Sequence, residues 1–468
     1  MVHSGEQSVH IVLVPYPSQG HINPVLQFGK RLAAHGGVRC TVAVTRFVLG
    51  STKPCLGSVH VAVFSDGCDE GGPAELGGHR GPYFERLEQA GSVTLDRLLR
   101  KEAERGRPAT VVVYDTFLPW VPRLARRHGA ACAAFLTQTC AVDVVYTHAR
   151  AGCVPVPVGE GDGPLRLPGL PVQLDVDDVP TFLVAHDTHH PSMRQLLMNQ
   201  FTGLENVDHV LVNSFYELEP QEAEYMAATW GAKTIGPTVP SAYLDGRLPN
   251  DASYGFHLHT PMTAECRVWL DDQPAGSVVY ASFGSIAAPG PEQMAEVAEG
   301  LYSSGSPFLW VVRATETDKL PEGFTGKVKK TARRGLIVPW CPQLEVMAHP
   351  AVGCFVTHCG WNSTVEALSA GVPMVAVPQW SDQTTNAKYI EDAWRVGVRV
   401  RPDGQGVVRK EEVERRVREV MEGEKSKEYM RNAASWSAKA RSAMSEGGSS
   451  DRNIAEFLSK YRLSRGAK

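Results

Sequence analysis

The chain has 468 residues, 43% of them apolar and 21% charged, with a formal net charge of −4. More than one globular domain is expected, with enough apolar residues for sizeable cores. There is no basic field for nucleic acid, no apolar run approaches the ~20 residues of a membrane span, and the opening stretch MVHSGEQSVH lacks the basic-then-apolar order of a signal peptide.

In chain order, residues 10–15 read as a buried strand, and 17–24 (PSQGHINP) as a loop entering a helix over 25–34. His21 is therefore expected at the carboxyl end of the first strand, the edge where open α/β sheets bind ligands. Further strands are expected at 39–44, 59–64, 110–114, 131–136 and 209–213. The strand at 110–114 delivers Asp115 to the same kind of edge, so His21 and Asp115 fit a general base and the carboxylate that orients it. Asp115 equally fits the cap of a helix opening at Thr116 and Phe117, and Gly-His before a helix also fits an ordinary capped turn.

Residues 238–260 are rich in Pro, Gly, Asp, Asn and Ser and read as an exposed linker. They divide the chain into a first domain at 1–240, a linker at 241–260, a second domain at 261–450 and a terminal segment at 451–468. The second half repeats the alternation, with strands expected at 277–282, 308–312, 335–338, 353–357 and 374–376 and late helices at 410–422 and 451–461. Both halves imply doubly wound parallel sheets.

The densest chemistry lies in 340–383, WCPQLEVMAHPAVGCFVTHCGWNSTVEALSAGVPMVAVPQWSDQ. An apolar strand ends at His358-Cys359-Gly360 and runs into a helical pattern from Trp361. Such a turn points free backbone N–H groups and the positive helix end at an anion, here a diphosphate. His358, Asn362 and Ser363 add donors around it, and Glu366, one helical turn beyond Asn362, brings a carboxylate that can chelate two ribose hydroxyls. Trp340 can offer its face to a base for roughly 1 to 3 kcal/mol of stacking. A second β-rich run, SVVYASFGS, ends in Phe283-Gly284-Ser285, where glycine permits close approach to a phosphate and Ser285 supplies a hydroxyl.

The block from WCPQ through HCGWNS to WSDQ resembles, without a gap, the signature of the plant secondary product glycosyltransferases, the UDP-glycosyltransferases of family 1. The PSQGHINP, YDTFLPW and SVVYASFGS segments resemble it too, the last with Ala281 where Val is common. The resemblance implies a GT-B fold, two Rossmann-like domains facing across a cleft, and inverting, metal-independent transfer of a sugar from a UDP-sugar. It places Trp340 on uracil, the Cys341 backbone at the uracil edge, and Gln343 and Glu366 on the ribose. His358, Asn362 and Ser363 take the phosphates, while Trp361, Asp382 and Gln383 face the sugar. Thr137 resembles a position near the sugar hydroxymethyl. Gln at position 383 goes in this family with UDP-glucose, as His there goes with UDP-galactose. His21 and Asp115 take the roles of base and orienter. The whole chain resembles monocot members of the family, including ones that glucosylate trichothecene mycotoxins. The implied partners are UDP-glucose as co-substrate and a hydrophobic hydroxylated acceptor; the residues do not reveal oligomeric state, and a monomer is the default expectation.

Other readings are weaker on the residues. Asp175-Val176-Asp177 matches the Asp-x-Asp of metal-dependent sugar transferases but lies in a Pro-rich loop of the first half, so no metal site is expected. No Gly-x-Gly-x-x-Gly opens a helix after a strand, against a dinucleotide oxidoreductase, and no Gly-x-Ser-x-Gly elbow supports a hydrolase. A noncatalytic nucleotide-sugar sensor would keep the clamp and need no base. The ten cysteines show neither Cys-x-x-Cys nor zinc-like spacing and read as reduced thiols of a cytoplasmic protein.

Overall fold

The structure is a computed structural model that describes residues 9–463 apart from 53, 79, 185–190 and 332. Residues 1–8 of the opening stretch and 464–468 of the terminal segment lie outside the described residues.

Two parallel sheets carry the chain. The first holds β1 (Val9–Val14), β2 (Val38–Thr45), β3 (His60–Phe64), β4 (Val111–Asp115), β5 (Ala131–Leu136), β6 (His209–Val212) and β7 (Lys233–Thr234), in the order β3-β2-β1-β4-β5-β6-β7. Its central strands β1 and β4 are buried at every position and mostly apolar because both faces are covered. Ile11, Leu13, Val111 and Val113 pack toward the first helix, Gln19–Ala33, whereas Val12, Val14, Val112 and Tyr114 pack toward the helix Arg80–Glu104. The second sheet holds β8 (Val278–Ser282), β9 (Phe308–Val311), β10 (Gly335–Val338), β11 (Val352–Thr357), β12 (Met374–Ala376) and β13 (Gly397–Arg399), in the order β10-β9-β8-β11-β12-β13. In each sheet the strand order reverses once, between β1 and β4 and between β8 and β11. Ligands of doubly wound sheets bind at the carboxyl ends of such strand pairs.

The first helix begins at Gln19, so the expected loop over 17–24 is corrected: His21 stands in the first helical turn and Pro24 lies inside the helix. Pro24 has no N–H for the carbonyl of Gly20, its i−4 partner. That carbonyl instead accepts the Asn362 amide from the other lobe, at 2.6 Å. Two short edge strands, β7 and β13, were not among the expected strands.

The expected exposed linker is also corrected, since Val239, Ser241, Asp251 and Phe256 are buried. Asp251 is held against the first helix by Lys30 Nζ at 2.9 Å and Gln27 Nε2 at 2.5 Å, and accepts the Ser241 backbone N–H at 2.7 Å. The last helix, Ser449–Leu463, returns to the first lobe, where Tyr461 and His209 hydrogen-bond at 2.6 Å and Phe457 meets Phe28 at 6.0 Å between ring centroids.

The lobes are joined along one side of the cleft. Thr181 and Ser381 exchange two hydrogen bonds of 3.0 and 2.8 Å, Thr385 donates to the Asp178 carbonyl at 2.7 Å, and Arg399 pairs with the Asp178 carboxylate at 2.7 Å. Asp178 and Asp175 also close a local turn, so the acidic loop carries structural contacts between the lobes. Deeper in, the Tyr389 hydroxyl donates to Glu222 at 2.6 Å beside Glu219 and Asp143, all of them buried. Burial, helped by the Glu219 charge, pushes Glu222 up to about 7. The folded state thus holds this proton more tightly than the unfolded state. The stability it confers is complete below the ordinary glutamate range and is lost as pH rises through about 7. Glu222→Gln, which keeps an acceptor for Tyr389, is expected to raise the melting temperature at pH 8 by on the order of 2 °C or more, with no gain at pH 5. Thermal unfolding at both pH values checks this, and equal melting temperatures at pH 8 would contradict it.

Candidate functional site

A cavity of about 490 Å³ runs between the carboxyl edges of the two sheets and is lined from both lobes. On the first lobe, β4 ends at Asp115, which is fully buried. Its Oδ1 accepts the Phe117 N–H at 3.0 Å, and its Oδ2 meets Nδ1 of His21 at 2.7 Å. The carboxylate is therefore both a turn cap and an orienter. With Nδ1 engaged, Nε2 of His21 is the nitrogen left for the cavity. Thr137, at the end of β5, places its hydroxyl 3.4 Å from the same Nδ1. The imidazole is flanked by Phe117 at 4.7 Å and Tyr16 at 5.2 Å between ring centroids.

On the second lobe the two phosphate-type turns converge. Gly284, after β8, has φ +72°, and a Cβ there would lie 2.7 Å from the His358 ring; a Cβ on Gly360 would lie 2.5 Å from its Nε2. The imidazole of His358 thus fits between two chains that approach only because both residues are glycine. Burial, joined by the nearby Arg313 guanidinium and opposed by the Ser282 carbonyl, holds His358 down at about 4, so it is neutral at pH 7. Arg313 also takes the carbonyls of Gly284 and Ala287 at 3.2 and 2.6 Å, fixing the loop that presents Ser285. Cys359 and Ser381, two of the four described non-glycine residues with positive φ, stand at the two ends of this site. Such conformations cost on the order of 1 kcal/mol each and persist where surrounding contacts impose them.

Next to these turns, Glu366 is nearly buried, which raises its carboxyl above the ordinary range. It accepts Gln343 Nε2 and the Tyr254 hydroxyl, each at 2.7 Å, while Tyr280 donates to the Gln343 oxygen at 2.8 Å. Gln343 also reaches the Ser363 hydroxyl at 2.9 Å. Trp340 lines the cavity with His259 tilted against it at 4.3 Å, and the Cys341 thiol is buried against Tyr280. At the far end Asp382 accepts the Asn386 amide at 2.8 Å, and Gln383 uses its oxygen to accept the Gln379 and Trp380 N–H groups, leaving its NH2 toward the cavity.

All the residues expected from the sequence therefore border one cavity or, like Asp115, support a residue that does. Trp361 differs in detail. Its indole N–H donates to the Asn213 carbonyl of the first lobe at 2.7 Å and the ring packs near Trp394. Trp361 lines the cavity at the start of the helix Trp361–Ala370. Asn362 gives one amide hydrogen to Gly20 and keeps a second. Sequence reasoning missed Tyr254, His259 and Arg313, single residues outside any recognisable motif.

A nucleotide-type clamp on one doubly wound lobe, facing an imidazole–carboxylate pair on the other, defines a GT-B nucleotide-sugar transferase. The family model "UDP-glucoronosyl and UDP-glucosyl transferase" matches residues 239–438. A UDP-glucosyltransferase of barley (Hordeum vulgare) is 50% identical over 98% of this chain and 95% of its own length. The structure of Os79 from rice (O. sativa) in complex with UDP matches with a TM-score of 0.90 at 50% identity, covering 96% of this chain and 100% of that one. A structure of Os79 with UDP and deoxynivalenol-3-glucoside matches with a TM-score of 0.86 at 48% identity over the same shares. The chain belongs to the UDP-glycosyltransferase family. Among the described residues no helix is long and apolar enough to cross a membrane.

Gly284→Ala would drive a Cβ into the His358 ring at a left-handed backbone position. It is expected to weaken UDP binding about tenfold or more, a loss of at least ~1.4 kcal/mol. Calorimetric titration with UDP checks this; unchanged affinity would contradict the close-packed turn.

Proposed function

We propose that the protein transfers glucose from UDP-glucose to a hydroxyl of a hydrophobic small molecule by a single inverting displacement, without a metal ion. The observation that carries this reading is the His21–Asp115 pair at 2.7 Å, one residue from the 2.6 Å contact between Gly20 and Asn362 of the donor turn. A general base and a diphosphate cradle thereby share one cavity.

In this reading uracil stacks on Trp340 with its edge at the Cys341 backbone, and Glu366 and Gln343 hold the ribose. The helix start at Trp361, with Ser285, His358, Asn362 and Ser363, holds the diphosphate and stabilises the charge that develops as UDP departs. Asp382 and Gln383 hold the glucose. His21 Nε2 accepts the acceptor proton as the oxygen attacks the anomeric carbon, and Asp115 fixes the tautomer and stabilises the imidazolium. Thr137, beside Nδ1, helps set the imidazole. Tyr16, Phe117, Met193 and Leu196 give the acceptor half its apolar wall.

Deoxynivalenol-3-glucoside bound to the similar Os79 supports a trichothecene among the acceptors. Ten free cysteines fit a reducing, cytoplasmic setting, and the reading includes a monomer.

His21→Ala is expected to lower kcat by about 10²- to 10⁴-fold, with UDP affinity within about twofold of the parent. Transfer kinetics beside a UDP titration check this. Undiminished turnover would overturn the base assignment, and a parent protein that binds UDP-glucose yet turns over no acceptor would favour the noncatalytic sensor.

A further inference from the structure

Charge in the acceptor half of the cavity is unevenly distributed. Its described wall is otherwise apolar or uncharged, with Asp115 buried behind His21, yet Arg80, the first residue of the helix Arg80–Glu104, lines it. Its guanidinium lies 5.8 Å from the centroid of Trp380 across the cleft, and one nitrogen is 4.0 Å from the Met193 sulfur. Among the described residues no carboxylate pairs with it. Acids of the preceding loop are engaged elsewhere: Asp66 by the Tyr83 hydroxyl at 2.7 Å and the Cys68 N–H at 3.0 Å, Asp69 by Arg46 at 2.7 Å, and Glu75 by the Glu70 and Gly71 N–H groups at 2.9 and 2.6 Å. A guanidinium held between an aromatic face and a thioether, with five donors and no anion, is an arrangement that recognises a planar oxyanion.

We propose that Arg80 is a specificity-determining residue that anchors a carboxylate on the acceptor, so that the preferred substrates are hydroxy acids whose anionic end lies at Arg80 and Trp380 while the hydroxyl reaches His21. The inference rests on the reading that this half of the cavity holds the acceptor, and it narrows a hydrophobic alcohol to an amphipathic one. The apolar wall between the two ends accommodates the hydrocarbon body. The cation supplies the charge-assisted contact that the wall lacks, and removing the acid's charge by esterification removes the contact.

The test uses the full chain loaded with UDP and three pairs of phenolic acids of increasing chain length with their methyl esters, among them 3-(4-hydroxyphenyl)propionate. Calorimetric affinities are paired with kcat/KM for transfer from UDP-glucose. At least one acid is expected to bind about 10- to 100-fold more tightly than its ester. That ratio is expected to fall to near one in Arg80→Met and to be partly kept in Arg80→Lys, with Arg80→Gln as the replacement if the Met variant fails to bind UDP. No acid preference in the parent for any pair, or a preference that survives in Arg80→Met, would overturn the proposal. UDP affinity and His21-dependent transfer are read in the same experiments. Their loss in the parent would fall on the glucosyl-transfer reading, whereas an intact transfer without acid preference falls on Arg80 alone.

Discussion

The hydrogen bond between the Asn362 amide and the Gly20 carbonyl is the contact on which the rest of the site depends. It exists because Pro24, four residues on, has no N–H to occupy that carbonyl. A proline inside a helix ordinarily leaves an unsatisfied acceptor, a cost of about 1 to 3 kcal/mol when buried. Here the acceptor is satisfied from the opposite lobe. The start of the helix that carries His21 is thereby fixed against the start of the helix Trp361–Ala370. A second tie runs along the same helix: Gln27 and Lys30 hold Asp251, and Tyr254, three residues later, donates to Glu366. The helix bearing the imidazole is thus connected to the turn at Gly360 at one end and, through the buried linker, to the Glu366 carboxylate.

The two lobes use one solution twice. Each sheet reverses its strand order once, and each places its polar groups in the crevice so formed: His21 and Asp115 after β1 and β4, Ser285 and His358 after β8 and β11. Facing the crevices across one cavity brings the His21 imidazole opposite the turns that carry Ser285 and His358. The strained residues, Cys359 and Ser381, lie where the second lobe turns toward that cavity, and the contacts of Ser381 with Thr181 tie one of them to the first lobe.

Much of this was legible in the chain. Central strands are covered on both faces, so they read as largely apolar runs, and residues 340–383 form one contiguous block around the unit of β11 and the helix Trp361–Ala370. The early start of the first helix was hidden because the contact that compensates Pro24 comes from residue 362, far away in sequence. The linker looked exposed because its composition is that of loops, although Asp251 is satisfied inside the fold by Lys30 and Gln27. The edge strands β7 and β13 are too short to show a period. The indole of Trp361, Arg313 behind the loop of Ser285 and Arg80 act through neighbours distant in sequence, which no local pattern encodes.

In the proposed reaction the base on one lobe and the diphosphate on the other leave a single face of the sugar open to attack, which ties the stereochemistry of the product to the architecture. The most direct measurement is the anomeric proton coupling of the glucoside formed from UDP-α-glucose, read by NMR as transfer proceeds. The account predicts a β-glucoside as the sole initial product, and an α-glucoside would contradict a single displacement driven by His21.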